Sequence, residues 1–376
     1  MRTTKFKRLL SAILAVCLVF GSAAAIPKNA FTDNASVTAS AQGEQEQGEQ
    51  QGDEHNDDNP IKLENGYYYH IEDDAVVIEY YEGSEENLVI PSTLGGKPVT
   101  RIEFGAFAGN DAIKTAVLPN GLESVANDLF ADCVNLESVT IPDSVKIIEA
   151  HAFDSCEKLK SFDFKNVEHI SEGAFRNTGF ETLTVPDTVT EMEYGVFSDC
   201  QSLTSAALGK GMTRVPEAIF AGNYNLKSVT IPAGYTAIDR YAFDSTGITE
   251  ITLPEGLKII DEGAFSYLEM TSIHLPASVD TLGSWAFNGS MITAEGINLE
   301  NIKHMGREVF LNTPWLEQMK EGKELVIVND ILVDCSKYMG KELTIPRGIR
   351  EIAGQGISHA QNLEKVIIPE GVQIIG

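Results

Sequence analysis

Residues 136–153 read LESVTIPDSVKIIEAHAF, and the skeleton L-x-x-V-x-I-P-x-x-V-x-x-I-x-x-x-A-F recurs along most of the chain. The phenylalanine that closes each copy falls at Phe107, Phe130, Phe153, Phe175, Phe197, Phe220, Phe243, Phe265, Phe287 and Phe310, at intervals of 22 or 23 residues. A fixed period in the twenties marks a solenoid, in which each unit buries its apolar side only against its neighbours. Within one copy, Val139 and Ile141 alternate with Ser138 and Thr140, the period-2 pattern of a short strand with one face inward. Pro142 follows; it has no N–H for a ladder and fixes φ, so the strand ends and the chain turns. Val145 and Ile148 point inward again, and Ala152 with Phe153 fills the far side. The offset from proline to phenylalanine is eleven residues in six copies, from Pro119/Phe130 to Pro276/Phe287, so like residues stack along the axis.

The repeated V-T-I-P, V-x-x-I and A-F-x-x-C elements resemble the BspA-like leucine-rich repeat over roughly residues 61–376. That class is common in secreted and surface proteins of host-associated bacteria and some parasitic protists. The resemblance implies a right-handed, β-rich leucine-rich-repeat solenoid of some twelve coils, with the L-x-x-V-x-I strands forming a concave parallel sheet. It also implies that Cys133, Cys156 and Cys200, each three residues after a repeat phenylalanine, are structural. Cys133 and Cys156 lie on neighbouring coils, so a disulfide competes with two buried thiols.

Six segments are expected. Residues 1–25 are a secretory signal peptide: Arg2, Lys5, Lys7 and Arg8 precede an apolar run over residues 9–20, and Ala23, Ala24 and Ala25 offer a small-residue cleavage site. Ala30 and Ala41 are alternative cut sites. A lipoprotein signal at Cys17 is the rival, opposed by the bulky Val16 before it. Residues 26–60 are an acidic linker; 42–60 hold seven acids and no lysine or arginine, too little apolar surface to order. Calcium capture by Asp53, Glu54, Asp57 and Asp58 lacks the ligand spacing of a known loop. Residues 61–98 form an N-terminal capping hairpin and first strand, 67–72 and 75–81 flanking Asp73-Asp74. Repeats fill 99–310 and a hairpin island 311–340, where Trp315 is a packing anchor or a sugar-stacking ring. Repeats resume over 341–376, and the last is incomplete. Two copies lack the proline, and Gly209 is expected to supply one of those turns through its backbone freedom.

The net charge of −27 becomes −31 once residues 1–25, with four basic groups and no acid, are removed. Such a chain repels phosphate backbones and anionic bilayers, so neither nucleic acid nor membrane insertion after signal cleavage is expected. No nucleophile elbow, phosphate loop or C-x-x-C pair occurs, and the histidines do not repeat at ligand spacing. No enzyme activity, metal or cofactor is expected. What remains is surface. Ser138, Thr140, Thr182, Thr184, Ser228, Thr230, Thr252, Ser272 and His274 face outward on the strands, a hydroxyl-rich strip for docking a protein or glycan ligand. Serine and threonine also simply suit exposed strands. Tyr241 and Trp285 stand two residues before a repeat phenylalanine, where glycine recurs; they are candidates for exposed sugar-stacking rings, against packing over the turn. The expected function is secreted or cell-surface macromolecular binding or adhesion. The alternatives are a scaffold or targeting module of a larger extracellular polysaccharide-degrading system, and an enzyme.

Overall fold

The computed structural model describes residues 60–376; the expected signal peptide and all but the last residue of the linker lie outside them. The described chain winds into a solenoid of about thirteen turns, mostly of short parallel strands. Each coil has three sides. The first is a three-residue strand such as Ser138–Thr140, paired in register with the strand of the coil before it (Thr115↔Ser138, Ala116↔Val139). The second is a two-residue strand such as Ile147–Ile148, paired with Ser124–Val125 before it and His169–Ile170 after it. The third is an arc centred on the repeat phenylalanine.

The arc joins coils without a regular strand. Alternate amides point along the axis: Gly105, Phe107 and Gly109 donate to the carbonyls of Asn127, Leu129 and Ala131 on the next coil, at 3.0, 3.1 and 2.7 Å. The amides between them turn back, as Ala106 does to Glu103 and Ala108 to Gly105. Repeating that alternation requires left-handed backbone two residues before and two after the phenylalanine. Gly105 (φ 61°), Gly173 (57°), Gly195 (62°) and Gly263 (59°) meet the first demand freely, and Asp132 (58°), Asn177 (52°) and Asp199 (58°) meet the second. Other residues pay for the same geometry with about 1–2 kcal/mol of steric strain.

The phenylalanines form one buried column. From Phe107 to Phe310 successive ring centroids lie 5.2–6.5 Å apart and the planes differ by 5–22°, the offset stack that aromatic quadrupoles favour. Tyr81 closes the column at one end, 5.5 Å from Phe107, and Trp315 stacks on Phe310 at 4.0 Å at the other. Trp315 is 2% exposed, so it is a packing anchor and cannot stack on a sugar.

The capping hairpin forms as expected: Tyr67–Glu72 pairs antiparallel with Ala75–Tyr81, which then pairs parallel with Lys97–Ile102 of the first coil. Tyr67 and Tyr69 are buried beneath it. Two expectations need correction. Gly209 does not turn through a left-handed φ; a Cβ there would sit 2.4 Å from the carbonyl oxygen of Pro186, so close approach of two backbones is what demands glycine. The neighbouring Tyr235 hydroxyl donates to the Gly209 carbonyl at 2.7 Å. The island does not simply interrupt the coils either. It opens with a helix, Pro314–Met319, capped by Thr313, whose hydroxyl accepts from Leu316 N at 3.2 Å. Its hairpin then returns a strand, Ile331–Asp334, that pairs parallel with Glu351–Ile352 and so serves as a rung.

The column predicts the energetics. Phe243→Ala removes a ring stacked on both sides, and it lowers unfolding stability by about 3–5 kcal/mol in a denaturant titration. Phe243→Leu costs less. Equal stability of the alanine variant and the native chain contradicts a continuous core.

Candidate functional site

The strand face carries all nine strip residues outward, each exposed. The structure brings them together in two patches. Ser138 lies beside Thr115, which lies beside Asn87, and the Thr115 hydroxyl donates to Asn87 Oδ1 at 3.0 Å. Thr182 aligns with Ser205 and Ser228, and Thr184 with Ala207 and Thr230. Between the patches the chain over 160–164 forms no strand, so the strip is discontinuous. Phe162 and Phe164 turn inward there and meet Phe175 edge-on at 5.0 and 5.6 Å. With no proline to stop the strand, aromatic packing places this segment instead.

A second break lies beside Ser228–Thr230. The backbone over 250–253 enters no ladder, and beyond it a single bridge, Ile273 to Ile297, survives. Both coils, those of Phe243 and Phe265, are 22 residues long and have a shortened arm between phenylalanine and strand. In the first, a Cβ at Gly247 would lie 2.2 Å from the Tyr224 carbonyl oxygen, so the shortened arm is drawn tight against its neighbour. A shallow groove of 630 Å³ results, lined by Ser228, Thr230, Glu250, Thr252, Ser272 and His274 together with Lys227. Lys227 was not anticipated; its signal in the sequence is only that it abuts Ser228. No Phe, Tyr or Trp lines the groove.

Tyr241 and Trp285 lie on the arc, on another side of the coil, and both are half-buried. The Tyr241 hydroxyl donates to Glu262 at 2.6 Å, and burial with that carboxylate pushes its pKa up to about 12. The Trp285 indole N–H donates to Glu308 at 3.1 Å, and the Arg307 guanidinium lies 5.1 Å from the ring centroid. Among the described residues no group of three or more His, Cys, Asp or Glu is placed to hold a metal ion, and no helix is long and apolar enough to cross a membrane.

The sequence profile of the BspA type leucine rich repeat region matches residues 79–204 and 213–339 in six copies. No match was found among curated protein sequences. Among solved structures, a leucine-rich repeat protein from Bacteroides ovatus is 22% identical, with a TM-score of 0.59, over 84% of this chain and 78% of that one. A leucine rich cell surface protein from Faecalibacterium prausnitzii is 19% identical (TM-score 0.40; 84% and 94% covered). The leucine rich repeat protein of T. pallidum is 26% identical (TM-score 0.42; 46% and 82% covered).

The four cysteines among the described residues belong to the core. Cys133, Cys156, Cys200 and Cys335 are free and buried. The Cys133 and Cys156 thiols donate to the Phe107 and Phe130 carbonyls at 3.2 Å, and Cys200 to Phe175 at 3.3 Å. The Asn223 amide makes the same bond to Phe197 at 2.9 Å. The position wants a small donor for the preceding coil's carbonyl, and turning each thiol onto that carbonyl leaves Cys133 and Cys156 unbonded to each other. Burial pushes Cys133 up to about 12 and Cys200 and Cys335 up to about 11, and it raises Cys156 as well. Cys133, Cys200 and Cys335 thus each add stability that is complete below the ordinary value of 9.0 and is lost as pH rises toward 11–12. In mildly alkaline buffer these four cysteines should resist a thiol reagent until the chain is unfolded; rapid labelling of the native protein contradicts the assignment.

Proposed function

The chain belongs to the BspA-type leucine-rich repeat family, and from that premise we propose that it is an exported, surface-acting binding protein that docks a protein ligand on its strand face without catalysis. The observation that carries this reading is the groove beside Ser228–Thr230. Hydroxyls, one lysine, one carboxylate and one imidazole converge there on a rigid frame, and the backbone over 250–253 lies beside them outside any ladder. Such a surface offers many directional hydrogen bonds around an apolar floor of Val229, Ile251 and Ile273, which suits a protein surface or an extended segment. With no Phe, Tyr or Trp in the lining, a sugar ring lacks a large aromatic face to stack on there. Export is supported by the basic and apolar start of the chain, and a surface role by its family.

Binding of the full chain to a panel of purified extracellular matrix proteins tests the reading. Ser228→Arg with Thr230→Arg fills the groove with bulk and charge and should weaken a detected interaction at least tenfold, about 1.4 kcal/mol. Ser138→Arg, on the other patch, should leave it within about twofold. Unchanged binding by the groove variant would show that the ligand sits elsewhere.

A further inference from the structure

Three neighbouring coils carry a large aromatic residue in left-handed backbone: Tyr241 (φ 55°), Tyr267 (φ 56°) and Trp285 (φ 57°). Tyr241 and Trp285 precede their phenylalanines by two residues and Tyr267 follows its own by two. At the places equivalent to Tyr241 and Trp285, Gly105, Gly173 and Gly195 close the arc with no steric penalty, and at those equivalent to Tyr267, Gly109, Gly222 and Gly289 do, so closure does not require a ring. A bulky residue at positive φ is a conformational outlier, and outliers of this kind gather where a side chain serves a ligand.

The rings are set as ledges. A Cβ on Gly263 would fall 2.4 Å from the ring carbons of Tyr241, and one on Gly289 would fall 2.7 Å from those of Tyr267. Each tyrosine therefore leans onto the bare backbone of the next coil. Hydrogen bonds fix them: Tyr241 to Glu262, and the Asn288 amide to the Tyr267 hydroxyl at 3.2 Å. Trp285 is held by Glu308, and the guanidinium groups of Arg240 and Arg307 lie over the Tyr241 and Trp285 rings at 6.0 and 5.1 Å, so each of these two rings offers a ligand at most its other face. Tyr267 stays 59% exposed and the other two are half-open to solvent. Tyr241 and Trp285 share one angular place two coils apart, above phenylalanines spaced 5.4 and 5.7 Å. One coil advances by about the strand spacing of ~4.8 Å. That is close to the advance of one sugar ring in an extended β-linked chain, so the two ledges fall in step with alternate sugars.

We infer that this arc, from Tyr241 through Tyr267 to Trp285, binds an extended, uncharged β-linked polysaccharide by stacking sugar faces on the rings. Glu262, Glu308 and Asn288 offer acceptors and a donor to the sugar hydroxyls beside them. Glu262, Glu308 and Asp239 are paired with Arg240, Arg307 and Arg214, and it is the net charge of −27 of the whole chain that disfavours an anionic glycan. This site lies on a different side of the coil from the strand-face groove and does not depend on it.

Affinity electrophoresis of the full chain through gels containing hydroxyethylcellulose, mixed-linkage β-glucan or glucomannan tests the inference, with polygalacturonate as the anionic control. At least one neutral polymer should retard the native chain, and polygalacturonate should not. Trp285→Gly with Tyr267→Gly should weaken the retardation at least tenfold while the thermal midpoint holds or rises, because glycine relieves the backbone. Ser228→Arg with Thr230→Arg should be retarded like the native chain. The inference is overturned if no neutral polymer retards the native chain, if the glycine variant is retarded as before, or if its midpoint falls sharply, which would make the rings structural.

Discussion

A coil of 22 or 23 residues has no interior of its own, and everything here depends on one aromatic ring finding another along the axis. The column from Phe107 to Phe310 is fully buried only because each ring is roofed and floored by the next. Two ladders and the arc's alternate amides run parallel to that column and are short individually. Their cohesion comes from repetition, in which each interface resembles the last and stability accumulates coil by coil. The ends of the column therefore need special partners, and Tyr81 and Trp315 supply them with rings of a different kind.

The arc sets a second constraint, which links fold to function. To aim alternate amides along the axis it must pass through left-handed backbone on both sides of each phenylalanine. The coils of Phe107, Phe130, Phe175 and Phe197 accept this with glycine, asparagine or aspartate at both places, and others with a small or polar residue at one or both. Where a coil instead places tyrosine or tryptophan there, the local geometry opposes the choice, and the ring is thrown outward onto the neighbouring coil. The strand face has the opposite character: regular, unstrained and polar, and interrupted where coils shorten. A solenoid of this kind thus presents different chemistry on different sides without altering its core.

Much of this was legible from residue order. The phenylalanine interval and the constant offset from proline located the coils, and the alternation in SVTI located the strands and their outward residues. The hairpin on either side of Asp73-Asp74 was legible for the same reason. Other features depend on contacts between coils that no single copy reveals. Gly209 looks like a turn residue until the Pro186 carbonyl is seen beside it. Ser138 and Thr182 read as members of one continuous strip until Phe162 and Phe164 are found turning inward between them. The island's last strand reads as an insertion until it pairs with Glu351–Ile352. The left-handed positions did leave a trace, glycine, asparagine or aspartate two residues from many of the phenylalanines, but His151, Ser155, Ala218, Ser245 and Glu308, together with Tyr241, Tyr267 and Trp285, break that pattern and so conceal it.

The central claim is that the coils are held by the buried phenylalanine column and the arc amides that run with it. Native-state hydrogen exchange at the amides of Phe153, Phe175, Phe220 and Phe243 tests it most directly, because each donates to the next coil at 2.8–3.1 Å. The account predicts that these four amides exchange only through opening of several coils at once, with protection close to the global unfolding free energy. Exchange at the rate of an exposed loop, while the strand-face amides stay protected, would contradict it.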